Sequence, residues 1–134
     1  MSASQTRPAV LVVEDEALVR MYAADVLEDA GYEVIEAVNA QQALAQLEAR
    51  PDLEVIFTDI NMPGEMNGFD LAREVHQRRP GIAVILTSGR MRPERALPEI
   101  RAFVPKPYTA ERLTGLLSRV LSLNPPGAEG WQTA

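Results

Sequence analysis

Glu14, Asp15 and Glu16 form an acidic run directly after a short apolar stretch, and a further carboxylate, Asp59, follows another such stretch. Thr87 and Ser88 close a third apolar run, and Lys106 lies just past a fourth. Two carboxylates about 4 Å apart repel by roughly 4 kcal/mol at an effective dielectric near ~20. A site that gathers Glu14, Asp15 and Asp59 therefore calls for a compensating cation. Oxygen-only ligands with room for water favour Mg2+ or Mn2+ over zinc. A carboxylate is also a nucleophile toward phosphorus, giving an aspartyl-phosphate. A cation and a nearby ammonium would neutralise charge on the transferring oxygens, and a threonine hydroxyl would donate to the new phosphoryl group. Each residue alone has an ordinary role, as helix cap, strand end or solvated charge. What matters is whether the fold brings all of them to one edge.

The elements that would do so are legible as alternating patterns. Ala9–Val13, Glu33–Ala37, Leu53–Thr58, Ile82–Thr87 and Ala102–Val104 read as strands, rich in valine and isoleucine. Val10–Val13 and Ile82–Leu86 are almost continuously apolar, as expected of strands covered by helices on both faces of a parallel sheet. Between the strands the period becomes helical. Val19, Ala23, Val26, Leu27 and Ala30 give a first helix stopped by Gly31; Ala40, Ala43, Leu44 and Leu47 follow an Asn39 cap; Leu71, Ala72 and Val75 mark a third. Leu113, Leu116, Leu117, Val120 and Leu121 mark the last helix, with Thr109 as its N-cap. Between the fourth and fifth strands, Arg90–Ile100 carries Pro93 and Pro98, which permit only a short or irregular fourth helix. Strand–helix alternation implies a doubly wound parallel sheet, with right-handed crossovers and the order 2-1-3-4-5. Ligands in such folds bind beyond the C-terminal ends of the strands, where the acidic run, Asp59, Thr87 and Lys106 all fall.

The 134 residues suit one core. Residues 1–7 are expected to be a disordered N-terminus, 8–122 the domain and 123–134 a flexible C-terminal tail with Trp131. A net charge of −6 argues against a nucleic-acid partner. The absence of cysteine excludes disulfides, thiolate metal sites and cysteine nucleophiles. No apolar run approaches the roughly 20 residues that cross a bilayer, and Met1–Arg7 lacks a signal-peptide core, so a cytoplasmic protein without a membrane partner is expected.

Four motifs together resemble the receiver domains of two-component response regulators: Val12-Val13-Glu14-Asp15-Glu16, Thr58-Asp59-Ile60-Asn61-Met62-Pro63, Leu86-Thr87-Ser88-Gly89 and Phe103-Val104-Pro105-Lys106-Pro107-Tyr108. The resemblance covers about residues 8–122 and implies a flavodoxin-like (βα)5 fold. By position it implies Asp59 as phosphoacceptor, Asp15 as direct metal ligand, Glu14 assisting through water, and Asn61 lending its backbone carbonyl. It implies Thr87 as the switch hydroxyl, Phe103 as the aromatic that moves with it, and Lys106 as partner of Asp59 or its phosphoryl group, aimed by a cis bond before Pro107. Asn61 and Gly89 occupy the positions that tune hydrolysis. Glu16 reads better as a helix-start charge and His76 as a solvated side chain.

Three features depart from the commonest receiver pattern. Glu14 stands where aspartate is more usual, the loop Pro63–Gly68 is one residue longer, and the span from Thr87 to Lys106 is about three residues shorter. The resemblance implies a stand-alone, single-domain regulator that takes phosphoryl from a histidine kinase or histidine phosphotransfer protein with Mg2+ or Mn2+. It would then contact a downstream protein target or drain the kinase, as a monomer or a phosphorylation-dependent homodimer. It would not be an enzyme beyond its own phosphorylation and dephosphorylation. A pseudo-receiver that binds partners without phosphate is the alternative. A phosphatase with an aspartyl nucleophile fits poorly, because Asn61 stands where a second carboxylate would serve as acid–base.

Overall fold

The computed structural model of the protein describes residues 7–90, 97–122 and 132–133. Its elements run β1 (Ala9–Val13), α1 (Ala17–Asp29), β2 (Glu33–Ala37), α2 (Ala40–Ala49), β3 (Leu53–Asp59), α3 (Gly68–Arg78), β4 (Ala83–Ser88), β5 (Ala102–Pro105), α4 (Ala110–Ser122) and β6 (Gln132–Thr133). Every pairing is parallel and the sheet order is β2-β1-β3-β4-β5-β6. The first five strands thus take the expected flavodoxin-like order, with four helices among the described residues.

Strand alternation sorts the core into two layers. Leu11, Val13, Ile56, Leu86 and Phe103 face α2 and α3, meeting Ala43, Leu47, Leu71 and Val75. Val10, Val12, Phe57, Ile85 and Val104 face α1 and α4, meeting Leu27, Leu113, Leu116 and Leu117. Both faces being covered is why β1 is buried along its whole length and β4 likewise. Each fully buried Leu, Ile or Phe contributes about 1.5–3 kcal/mol. β2 lies at one edge and keeps Glu33 and Glu36 exposed, charges that discourage further strand pairing there.

The helix ends are set by side chains and by one glycine. Asn39 caps α2 by accepting from Gln42 N at 2.8 Å. Asn67 and Asp70 form a reciprocal capping box at the start of α3. Thr109 Oγ1 accepts from Arg112 N at 3.1 Å, the expected cap of α4. At the end of α1, Gly31 N donates to Glu28 O and Tyr32 N to Leu27 O, a Schellman arrangement. It requires positive φ at Gly31, where φ is 102°.

The expected short fourth helix falls mainly on residues 91–96, which lie outside the described residues; Pro98 and Glu99 form a turn before β5. Residues 1–6, 123–131 and 134 also lie outside them, and with them Trp131 and most of both expected termini. The tail reading did not foresee β6, which pairs Gln132 with Ala102 and Thr133 with Phe103. No helix of the described residues is long and apolar enough to cross a membrane.

Candidate functional site

At the C-terminal edge of the sheet the chain turns sharply after β1, β3, β4 and β5, and the residues at those turns line one cleft. It includes Glu14, Asp15, Asp59, Asn61, Gly89 and Lys106. Glu14 N donates to Ala37 O as β1 ends, which brings the Glu14 side chain inward, 4% exposed. Its Oε2 accepts from Glu16 N at 3.1 Å and its Oε1 from Lys106 Nζ at 2.8 Å. Asp59, the last residue of β3, is 6% exposed. Its Oδ2 accepts from the same Nζ at 3.3 Å and its Oδ1 from Asn61 N at 3.4 Å. Asp15 is exposed.

Lys106 is aimed by its own backbone. Its N–H donates to Ser88 O at 3.0 Å, and the bond to Pro107 is cis. Burial opposes charge on the ammonium, but Glu14 and Asp59 outweigh that opposition and hold its pKa above the ordinary lysine value. Burial pushes both carboxyls the other way. Asp59 is raised by burial, against the pull of Lys106 and the Asn61 amide. Glu14 is raised by burial, against Lys106 and the Glu16 amide, with the Asp59 charge adding to the rise. Two desolvated carboxylates thus share one ammonium.

Asp59 and Thr87 are direct register partners on β3 and β4, so their Cβ atoms project from the same face. The Thr87 hydroxyl is buried and has no hydrogen-bond partner among the described residues, an arrangement that costs stability unless a ligand uses it. Ser88 Oγ accepts from Asn61 Nδ2 at 3.2 Å and from Arg90 N at 3.0 Å, tying the β3 and β4 loops together. Phe103 is fully buried in the layer facing α2 and α3. An added Cβ at Gly89 would stand 3.7 Å from Lys106 Cβ, an ordinary contact, so the glycine keeps that wall of the cleft low.

The donor set suits a divalent cation. Glu14, Asp15 and Asp59 each offer one carboxylate oxygen, and these atoms lie within 4.8 Å of one another. They are hard oxygen ligands with Asp15 open to water, the chemistry that Mg2+ and Mn2+ prefer. The structure therefore brings Glu14, Asp15, Asp59, Asn61, Gly89 and Lys106 to one cleft, sets Thr87 beside Asp59 in the sheet, and places Phe103 in the core one strand away. Two neighbours of the site hold it in ways their residue types do not announce: Ser88, which accepts from Asn61, and Arg20, which donates to Glu14 O. The only trace of Ser88 in the sequence is its place beside Thr87, and that of Arg20 is its spacing from the acidic run.

Residues 10–118 match the response regulator receiver domain, and the chain belongs to that family. It is similar to the chemotaxis protein CheY of Thermotoga maritima, 35% identical over 117 residues that span 83% of this chain and 95% of the relative. It is equally similar, 35% over 118 residues, to the nitrogen assimilation regulatory protein NtrX of Azorhizobium caulinodans, covering 84% of this chain but only 26% of that protein. Among solved structures, the receiver domain of NtrX from Brucella abortus superposes with a TM-score of 0.78 at 32% identity, over 86% of this chain and 99% of that one. The protein is accordingly a module of phosphorylation-based two-component signalling rather than a conventional enzyme. Its acidic cluster is the kind of pocket in which receiver domains bind Mg2+.

Proposed function

We propose that the chain is a response regulator receiver that accepts a phosphoryl group on Asp59 from a histidine kinase or a histidine phosphotransfer protein. The observation that carries this reading is Lys106 Nζ held between Glu14 and Asp59, 2.8 and 3.3 Å away, beside a three-carboxylate cluster. Asp59 Oδ attacks phosphorus, the P–N bond to the donor imidazole breaks, and its electron pair leaves on the ring nitrogen. Burial removes most of the water from around Asp59, and Lys106 offsets part of its charge. Asp15, Asp59 and the Asn61 carbonyl would hold the divalent cation directly, with Glu14 acting through water. When bound, the cation neutralises charge on the transferring oxygens.

After transfer, Lys106 follows the new negative charge and pairs with a phosphoryl oxygen, and the Thr87 hydroxyl, without a partner beforehand, donates to another. Charge-assisted hydrogen bonds contribute about 1.5–3 kcal/mol each. Two such bonds give about 3–6 kcal/mol, against the roughly 5.5 kcal/mol that swings a two-state equilibrium from about 1:99 to about 99:1. Part of the Lys106 contribution already exists before phosphorylation, so the Thr87 bond supplies much of the difference. Movement of Thr87 is passed through β4 to Phe103 on β5, in the layer facing α2 and α3, and the altered surface either contacts a target protein or stays silent while the chain drains its kinase.

The test is incubation with Mg2+ and acetyl phosphate beside Asp59→Asn, read by intact mass. A gain of one phosphoryl group by the parent alone is expected. A parent that gains none with acetyl phosphate and also fails to bind beryllofluoride would sink the reading.

A further inference from the structure

Arg20 lies on α1, one turn past the acidic run, and its guanidinium joins the acidic loop of the cleft to the edge strand β2. Nη1 donates to the backbone carbonyl of Glu14 at 3.0 Å, and Nε donates to Glu36 Oε1 on β2 at 2.9 Å. The side chain is 17% exposed, against 43% for Glu36. We infer that Arg20 is a positioning residue for the acidic loop, fixing through the Glu14 carbonyl where the Glu14 and Asp15 carboxylates stand. The inference rests on reading Glu14, Asp15 and Asp59 as the cation site.

The physical argument begins with the peptide that links Glu14 to Asp15. It is planar, so holding its oxygen also fixes the direction in which the chain leaves toward Asp15. That carbonyl lies just past the end of β1, whose last ladder bond there is Glu14 N to Ala37 O. Nor does the helix hold the loop firmly from the other side, since Glu16, the N-cap of α1, makes no side-chain capping bond. Within the loop, Glu14 Oε2 accepts from Glu16 N, a bond that closes the turn on itself without attaching it to the sheet. Lys106 holds the Glu14 carboxylate at 2.8 Å, and the guanidinium ties the loop's backbone to β2. It is a rigid fork, and with Nε fixed by Glu36 its Nη1 has one place to point.

The alternative is that Arg20 matters only as a charge, and it predicts the opposite sign. Removing a positive charge near three carboxylates would tighten binding of a cation. Removing a brace would loosen it, because ligands left to wander must be ordered again when the ion binds; outer-shell supports of this kind typically cost 10–100-fold in metal affinity, at about the lower end for a single backbone tether.

The experiment is an amide NMR titration with Mg2+ of the parent, Asp15→Asn, Arg20→Ala and Arg20→Lys, with a thermal melt of each. The parent is expected to bind and Asp15→Asn to lose binding. Arg20→Ala is expected to bind about 10-fold more weakly while keeping the dispersed spectrum of a folded chain. Arg20→Lys keeps the charge but not the fork, and should fall between them. Binding by Arg20→Ala as tight as the parent's, or tighter, overturns the positioning role and leaves the cation site standing. If Arg20→Ala does not fold, Arg20→Lys decides alone: weaker binding supports the role, and parental binding overturns it. Failure of the parent itself to bind removes the cation site and the inference together.

Discussion

Lys106 stands nearer to Glu14 than to Asp59, 2.8 Å against 3.3 Å, although Asp59 is the residue the family resemblance pairs it with. The longer arm of a glutamate at position 14 explains the arrangement, since it carries a carboxylate across the cleft to the ammonium. Thr87 contributes nothing comparable before phosphorylation, because its hydroxyl is buried without a partner. An unsatisfied buried hydroxyl costs about 1–3 kcal/mol, and an apolar isostere removes that cost. Thr87→Val should therefore raise the stability of the unphosphorylated protein by about 1 kcal/mol in urea denaturation. The same variant should show a much smaller beryllofluoride-induced change in amide shifts across β4 and β5. A variant clearly less stable than the parent would mean that the hydroxyl has a partner in solution and is not held in reserve.

The turn from β3 into α3 depends on close approach of two backbones at Gly68. A Cβ there would lie 2.5 Å from Asp59 O and 2.8 Å from Ile60 Cα, both backbone atoms that cannot swing aside. Gly68→Ala should cost about 1–3 kcal/mol, as overpacking does, and should also move Asp59, so phosphorylation by acetyl phosphate should slow. Gly115 is the control, being exposed inside α4 with nothing within 4 Å of an added Cβ. Gly115→Ala should stabilise by about 0.5–1 kcal/mol, or roughly 2–4 °C in a thermal melt, without changing phosphorylation. Loss of stability at Gly115, or none at Gly68, would contradict this account of the two helices. How much of this the sequence reveals differs by element. β1 and β4 are readable because both their faces are buried, which leaves no polar position in β1, and none in β4 before Thr87, to blur the run. The cleft residues are readable because each ends a strand, and strand ends share one edge once the order is known. Two kinds of feature escape. β6 has only two residues, too few for any period. The bonds from Arg20 to Glu14 and Glu36 span loop and sheet, and Arg79 likewise reaches the carbonyls of Leu47, Arg50 and Pro51 from 32 to 28 positions away. Most such partners become neighbours only after the helices have packed, so spacing along the chain does not announce them; the bond from Arg20 to Glu14, six positions apart, is the exception.

For the whole molecule, the buried carboxylates make folding and ion binding draw on the same charges. Asp59 and Glu14 have folded pKa values raised above their unfolded ones, chiefly by burial. The native state therefore holds its protons to higher pH than the unfolded chain, and stability falls as pH rises through that interval. The contribution is fully present below the unfolded carboxyl values, near 3.8 for aspartate and 4.5 for glutamate, and is lost as pH climbs through the raised folded values. At neutral pH, in the absence of divalent ions, negative charge on these two buried groups costs stability that Lys106 offsets only in part. Asp59→Asn should then melt a few degrees above the parent in EDTA at neutral pH, with the gap closing as the buffer is acidified through the carboxyl range. Mg2+ supplies the missing charge from outside, so it should raise the parent's melting temperature at neutral pH by linkage, about 2.7 kcal/mol at roughly 100 times its dissociation constant. Asp15→Asn should gain far less. Scanning calorimetry of the three proteins across pH, with and without Mg2+, separates the contributions. If the parent in EDTA proved more stable than Asp59→Asn at neutral pH, Lys106 would be neutralising the site completely, and the fold would have no charge deficit left for an ion or a phosphoryl group to exploit.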